Sequence, residues 1–319
     1  MAHIPKLFGI VISFLVISSS CDKVSSSDTI EDEAPKILYD SNEKYFYVKA
    51  VRDVHLAKSL WVNMDYIEKI DFGRKWPPAY DQMLMPTLRY LESLELSFNF
   101  TFYGYLTNFV TFDIDGRICM KKITYYNEQC NSFVAPLGMK LSFRKDESFI
   151  KYIDTGKSLI VQWGNVDLYP PFYLEEQNVT LQVTLYENGT IEIVYKQILT
   201  SLFVLFYEGD FRTAVSIGTR DSKGYIGKDE NIYGVIALQE RMNNDFDIKN
   251  GTVIVMTPLP TCNWFTSCEL CTLSKIYFKC VWCPQLNRCT NYGMDRNYNA
   301  WLSSGCVNNY ISSSYAEKC

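Results

Sequence analysis

The sequence predicts a mainly β protein: an antiparallel, sandwich-like domain followed by a small module knotted by disulfides. Two observations carry that expectation. Between Leu94 and Met256, short segments of alternating apolar and polar residues recur with few helical stretches between them, the pattern of strands buried on one face. The last 58 residues then hold eight of the eleven cysteines: Cys262, Cys268, Cys271, Cys280, Cys283, Cys289, Cys306 and Cys319. A segment that short cannot bury enough apolar surface to fold unaided and depends on covalent cross-links, each worth about 2–4 kcal/mol.

Residues 1–21 read as a secretory signal peptide: Lys6, an apolar run from Leu7 to Ile17, then Ser18, Ser19 and Ser20. The run is too short to cross a bilayer. This leader also arbitrates between two chemistries for the C-x2-C pairs. Cys268/Cys271 with Cys280/Cys283 would suit a four-thiolate zinc centre in a reducing compartment. In the secretory pathway an even set of close cysteines is a disulfide framework, which is the reading adopted. With Cys119 and Cys130 the cysteines number ten, so Cys21 is the odd one, and cleavage after Cys21 leaves an even set.

Residues 22–57 are polar and acidic and read as a flexible leader. The β domain is expected over residues 58–256. Its first part, to about Leu94, is mixed and includes the helix-blocking turn Trp76-Pro77-Pro78. Strands are expected at 94–102, 108–114, 149–153, 159–163, 214–218 and 252–256. A hairpin over residues 178–195 turns at Asn188-Gly189. Four Asn-x-Ser/Thr sequons, at Asn99, Asn178, Asn188 and Asn250, are candidate glycosylation sites. Alternation places Leu94, Leu96, Phe98, Phe100 and Phe102 inward and Asn99 outward. Residues 257–261 form a stiff proline-containing joint, and the cysteine module spans 262–319.

Function classes narrow quickly. A formal charge of -5 without a basic block gives no footprint for nucleic acid. The apolar stretch Leu202–Tyr207 reads as a buried strand, too short for a membrane span, so a soluble chain is expected. Thr155-Gly156-Lys157-Ser158 lacks the glycine that opens a phosphate loop, Lys151 standing there. Asp71-Phe72-Gly73 has no other kinase element around it. Asp113-Ile114-Asp115-Gly116 starts like a calcium loop, but its glycine comes too early, so a strand-to-turn corner is expected. His55 is the one histidine outside the signal peptide, and Glu175-Glu176 is an ordinary acidic pair. No catalytic residue, metal ligand or cofactor is implied.

Several motifs form a recognisable set. In the cysteine module they are Phe278-x-Cys280-x-Trp282-Cys283, Leu286-x-Arg288-Cys289, Asp295-Arg296, Trp301 and Gly305-Cys306. Upstream stand Leu60–Asp65, Leu96-Ser97-Phe98-x-Phe100-x-Phe102-Tyr103-Gly104, Ala135-Pro136-Leu137, Val161-Gln162-Trp163 and Met256–Cys262. Over Leu60–Cys319 the chain resembles the plexin domain-containing proteins, which join a nidogen-like extracellular domain to a plexin–semaphorin–integrin (PSI) cysteine-rich domain.

The resemblance implies the pairing Cys262–Cys280, Cys268–Cys319, Cys271–Cys289 and Cys283–Cys306, where eight cysteines alone leave roughly a hundred alternatives. It gives Trp282, Arg288, Asp295 and Trp301 structural roles, with Trp282 packed over the knot. Cys119 and Cys130 fall where the family has no familiar disulfide, and are expected to staple a hairpin or small loop. The implied function is a non-enzymatic, protein-binding receptor ectodomain whose ligand is an extracellular or matrix protein; the family is linked to nidogen-like partners and to a serpin, pigment epithelium-derived factor. Family members usually continue into a transmembrane helix, whereas this sequence stops at Cys319. A secreted matrix component or soluble decoy is therefore the second expectation.

Overall fold

The computed structural model describes residues 34–68, 90–113, 115–124, 129–137, 141–143, 147–168, 178–198, 217–226, 233–241, 248–294 and 296–319. The signal peptide with Cys21, Trp76-Pro77-Pro78, Asp71–Gly73, Glu175-Glu176, Leu202–Tyr207 and Asp295 lie outside these residues.

In chain order the strands begin with β1 (Lys36–Asn42), β2 (Phe46–Arg52), β3 (Tyr90–Phe102), β4 (Tyr105–Asp113), β5 (Ile118–Cys119), β6 (Ser132–Ala135), β7 (Leu141–Ser142) and β8 (Phe149–Asp154). They continue with β9 (Ser158–Leu168), β10 (Val179–Tyr186), β11 (Ile191–Gln197), β12 (Gly218–Ile226), β13 (Tyr233–Arg241), β14 (Thr252–Pro258), β15 (Val281–Cys283) and β16 (Arg288–Thr290). Short helices are α1 (Val54–Leu60), α2 (Cys268–Thr272) and α3 (Tyr298–Ser303).

An eight-stranded sheet in the order β1-β2-β14-β11-β10-β9-β7, with β8 also on β9, packs against a six-stranded sheet in the order β13-β12-β6-β5-β4-β3. Every pairing is antiparallel. Alternate residues of both sheets meet in one core: Phe100, Phe102 and Phe112 from one side, Trp163, Leu181 and Ile193 from the other. The expected alternation on β3 is present, with Phe100 and Phe102 fully buried while Glu95, Ser97 and Asn99 are exposed.

Two expectations need correction. The flexible leader of residues 22–57 contains β1, β2 and most of α1. Phe46, Val48 and Ala50 alternate into the core, and β2 pairs with β14 along its whole length. The acidic composition around this stretch masked a period-2 pattern that central pairing then enforces. The proline-containing joint is likewise partly strand: Thr257 and Pro258 continue β14 against Tyr47 and Phe46. Proline is tolerated there because β11 pairs with β14 only as far as Ile191 opposite Met256, so no ladder bond is lost on that side. Of the strand expected over 214–218, residues 214–216 lie outside the described residues, and β12 starts at Gly218.

The first sheet is covered on both faces. Behind the core, Thr180, Gln182 and Thr184 of β10 are buried as well, beneath the chain that runs through α1 to residue 65. Asp53 caps α1 by accepting from Leu56 N–H (2.9 Å). The strap that follows is held by two glutamines. Gln182 donates to Leu60 O (2.9 Å) and accepts from Val62 N–H (3.0 Å), while Gln162 donates to Val62 O (2.6 Å). The side-chain amides thus stand in for a neighbouring strand and satisfy backbone groups that would otherwise be stranded.

The β10–β11 connection turns through Gly189 at φ +86, where a Cβ would lie 2.8 Å from Thr101 O. Its Tyr186 N–H donates to Thr190 O (2.9 Å), and Asn188 Oδ1 accepts from Thr190 N–H (2.9 Å). Across the sandwich, Asp154 of β8 accepts from both Ser97 N–H and Ser97 Oγ of β3 at 2.7 Å. Burial opposes its ionisation, but these bonds and one from Gly156 N–H hold the carboxyl below its ordinary 3.8.

Tyr195 is fully buried and donates to Pro136 O (2.5 Å), and burial pushes its phenol up. Replacing it (Tyr195→Phe) leaves that carbonyl unpaired and should cost about 1–3 kcal/mol in chemical denaturation. Asp154 contributes stability above its unfolded value, and that contribution disappears as pH falls through the lowered folded value. The stability gap between wild type and Asp154→Asn should therefore be constant above about pH 5 and close below about pH 4, measured by urea denaturation at each pH.

Candidate functional site

The most elaborated feature of the molecule is the seam where the β domain meets the C-terminal module. It starts from the two-residue turn that joins β3 to β4. Tyr103 (φ 52) and Gly104 (φ 78) both adopt left-handed backbone, as a turn matching the sheet twist requires. A tyrosine is unusual in that conformation. Its ring is held edge-on against Tyr45 (4.8 Å), Phe46 (5.4 Å) and Phe102 (4.8 Å), and its hydroxyl meets Thr219 Oγ1 at 2.8 Å.

Gly104 receives the module. The first turn of that module, Cys262–Trp264, places Asn263 so that its Nδ2 donates to Gly104 O (2.7 Å). A Cβ on Gly104 would collide with Asn263 Oδ1 and Thr261 Oγ1. Tyr45 bridges the two parts, its ring 4.9 Å from Phe278 and its carbonyl accepting from Leu259 N–H (2.8 Å). Next along β4, Tyr105 is engaged by two arginines. Arg288 Nη2 donates to its hydroxyl (2.9 Å) and the Arg296 guanidinium lies 5.0 Å from its ring centre. Arg296 Nε also donates to Asp221 of β12 at 2.7 Å, and Asp221 is 2 % exposed. A cavity of about 30 Å³ remains between Tyr45, Tyr103, Tyr105 and Met294, the size of a water site rather than a ligand site.

Within the module the sulfurs join Cys262–Cys280, Cys268–Cys319, Cys271–Cys289 and Cys283–Cys306, with Cα–Cα distances of 5.4 to 5.6 Å. The four thiols of the zinc alternative thus fall in four separate disulfides. Trp282 is buried among Cys262, Cys271, Cys280 and Cys289, and Trp301 is buried against Cys283 and Cys306. Gly293 is pressed on the Trp301 ring, leaving no room for a Cβ. In the β domain, Cys119–Cys130 closes the β5–β6 hairpin.

The other candidate residues are scattered. Thr155–Ser158 forms the turn between β8 and β9, with Thr155 N–H on Ser158 O (2.9 Å). Asp113, Asp115 and Gly116 form the corner after β4. Arg117 occupies the place a cation would take, its Nη2 2.7 Å from Asp113. Burial pushes the Asp113 carboxyl up, against the pull of that guanidinium. His55 is exposed on α1. Asn99, Asn188 and Asn250 are exposed and Asn178 is half-buried; Asn250 Oδ1 accepts from Ile198 N–H (2.6 Å). The structure brings none of these candidates together into one constellation.

Comparison with known families agrees with this two-part layout. The model described as NIDO-related matches residues 89–230, and the plexin-repeat model matches residues 261–307. The chain is a nidogen-like plus plexin-repeat protein. No solved structure gives a significant match. Both families are adhesion- or receptor-type modules without catalytic machinery, and they place the chain among extracellular protein-interaction proteins. The plexin-repeat match begins one residue before Cys262, at the threonine that contacts Asn263 and crowds Gly104.

Of the seam residues, sequence reasoning had singled out Arg288 as structural and had read Tyr103-Gly104 as part of a motif. Tyr45, Asp221 and Asn263 carried no signal of their own, because their roles arise only when distant segments are folded together, Tyr45 against Phe278, Asp221 against Arg296 and Asn263 against Gly104. Removing the seam guanidinium (Arg296→Ala) leaves Asp221 buried without its cation and should cost roughly 3 kcal/mol. Denaturant titration measures this, and limited proteolysis should then cut near the junction of the nidogen-related domain and the plexin repeat.

Proposed function

We propose that this protein is a receptor ectodomain-like module that binds an extracellular or matrix protein, of the nidogen-like or serpin-like kind that the family resemblance implies. The plexin repeat supplies much of the binding surface. The observation that supports this reading is where apolar surface is left uncovered. Of the thirteen large hydrophobic side chains exposed among the described residues, nine lie in residues 262–319, including Trp264, Leu270, Leu273, Tyr277, Tyr292 and Tyr315. Concentrated apolar and aromatic exposure marks interaction surface rather than ordinary exterior.

The seam gives that surface its use. Contacts at Tyr45, Gly104, Tyr105 and Asp221 fix the repeat on the sandwich, so a partner that spans both parts meets a preorganised face and less ordering entropy is lost on binding. N-linked glycans at the exposed Asn99 and Asn188, both on the β domain, belong to the same extracellular reading.

Binding of the intact glycoprotein to nidogen and to pigment epithelium-derived factor by surface plasmon resonance tests this. With either ligand, Leu273→Asp or Tyr277→Asp should weaken binding about tenfold or more, as truncating an interface anchor does. Tyr66→Ala, at an exposed aromatic on the β domain, should leave it unchanged. Equal binding by all three variants would place the contact elsewhere.

A further inference from the structure

The outer face of the eight-stranded sheet carries a second feature, independent of the seam and of the proposed protein ligand. Two β-bulges face each other across Thr180. On one side, Val179 pairs with Val166 and Leu181 with Trp163, so Gly164 and Asn165 together oppose Thr180. On the other, Thr180 pairs with Gln197 and Leu181 with Tyr195, which makes Lys196 the extra residue. Asn165 takes a left-handed φ of 51 and is fastened there by its N–H on Thr180 Oγ1 (3.1 Å). Gly164 leaves room for the Phe149 ring, which a Cβ would strike. Bulges re-aim side chains and are retained where the redirection has a use.

Here the redirected residues border a cleft of about 330 Å³, closed on its other side by the strap through Trp61 and Met64. The volume falls within the range of small-ligand sites. Its chemistry is specific. Lys151 Nζ donates to Met64 O (3.0 Å) and Lys196 Nζ rests 4.6 Å from the centre of the Trp61 ring. Both ammonium groups are therefore held at the cleft wall. Among the described residues Asp65 is the one acid lining it, in a chain whose formal charge is -5. Asn63, Asn165 and Gln197 add amides, and Trp61 and Phe149 add apolar wall.

We propose that this cleft binds a sugar ring bearing a carboxylate, a uronate or sialate residue of an extracellular glycan. The two ammonium groups meet the carboxylate through charge-assisted hydrogen bonds. The amides, each offering a donor and an acceptor, take the ring hydroxyls, and the aromatic walls take the apolar C–H face. A simple anion would leave the amide rim unused, and a neutral sugar would leave the two ammonium groups unused.

The test is calorimetric titration of the intact protein at near-physiological salt with four probes. Hyaluronan tetrasaccharide presents uronate and 3′-sialyllactose presents sialate; chitotetraose and lactose are their neutral counterparts. Binding by one acidic probe and not the other identifies the glycan source. In either case the neutral counterpart should bind about tenfold more weakly, and Lys196→Gln should weaken the acidic probe by a similar factor, as expected for loss of one charge-assisted hydrogen bond. Asn165→Gly suits the left-handed backbone and keeps the fold while deleting the amide; it should weaken the acidic probe with the thermal midpoint unchanged or raised. The proposal is overturned if neither acidic probe binds, if the neutral probes bind equally, or if both variants bind like wild type.

Discussion

Tyr103 sits in backbone geometry that a bulky side chain avoids, and it remains there because the surrounding rings and Thr219 leave its side chain no other place. That constraint sets the position of Gly104, and Gly104 sets where Asn263 docks. From this one turn the placement of the cystine-rich module follows. The module is too small to be held by apolar burial and relies on four disulfides within it. Disulfides fix its interior but not its orientation. Orientation comes from the turn, from the arginines on Tyr105, and from the buried carboxylate of Asp221.

The double cover of the first sheet has a comparable logic. A strand with apolar residues on one side and Thr180, Gln182 and Thr184 on the other would ordinarily face water. Here the polar side is roofed by the strap, and the buried glutamines are satisfied by its backbone. Polar residues on a sheet face were thus a signature of a covering segment rather than of exposure. The same roof creates the cleft, because the strap descends onto the sheet at Trp61 and leaves it again beside Lys151.

How much could be read from the residues alone differs along the chain. The β3 alternation, the Asn188-Gly189 turn and the cysteine spacing were legible because each is a local signal set by the pleat, by left-handed φ, or by compartment chemistry. The place of Phe46, Val48 and Ala50 was misjudged because neighbouring acidic composition outweighed a short alternation, and only pairing with β14, some two hundred residues later, gives that alternation its meaning. Asp221 was invisible for a similar reason, and Arg296 stood out only as part of a motif: a buried ion pair between distant segments leaves no pattern in either. Bulges such as those at Asn165 and Lys196 are harder still, since a register shift is a property of two strands together.

The continuity of β14 with the first turn of the plexin repeat has a mechanical consequence. β14 lies between β2 and β11 and runs directly into Cys262, and Cys319 is bonded to Cys268 beside the same turn. A load applied at Cys319 therefore crosses one covalent bridge and enters the sandwich along the axis of an interior strand. Its ladder bonds to both neighbours are then strained together in shear, instead of being peeled apart in succession. Resistance to such a load depends on the rate of unfolding rather than on equilibrium stability.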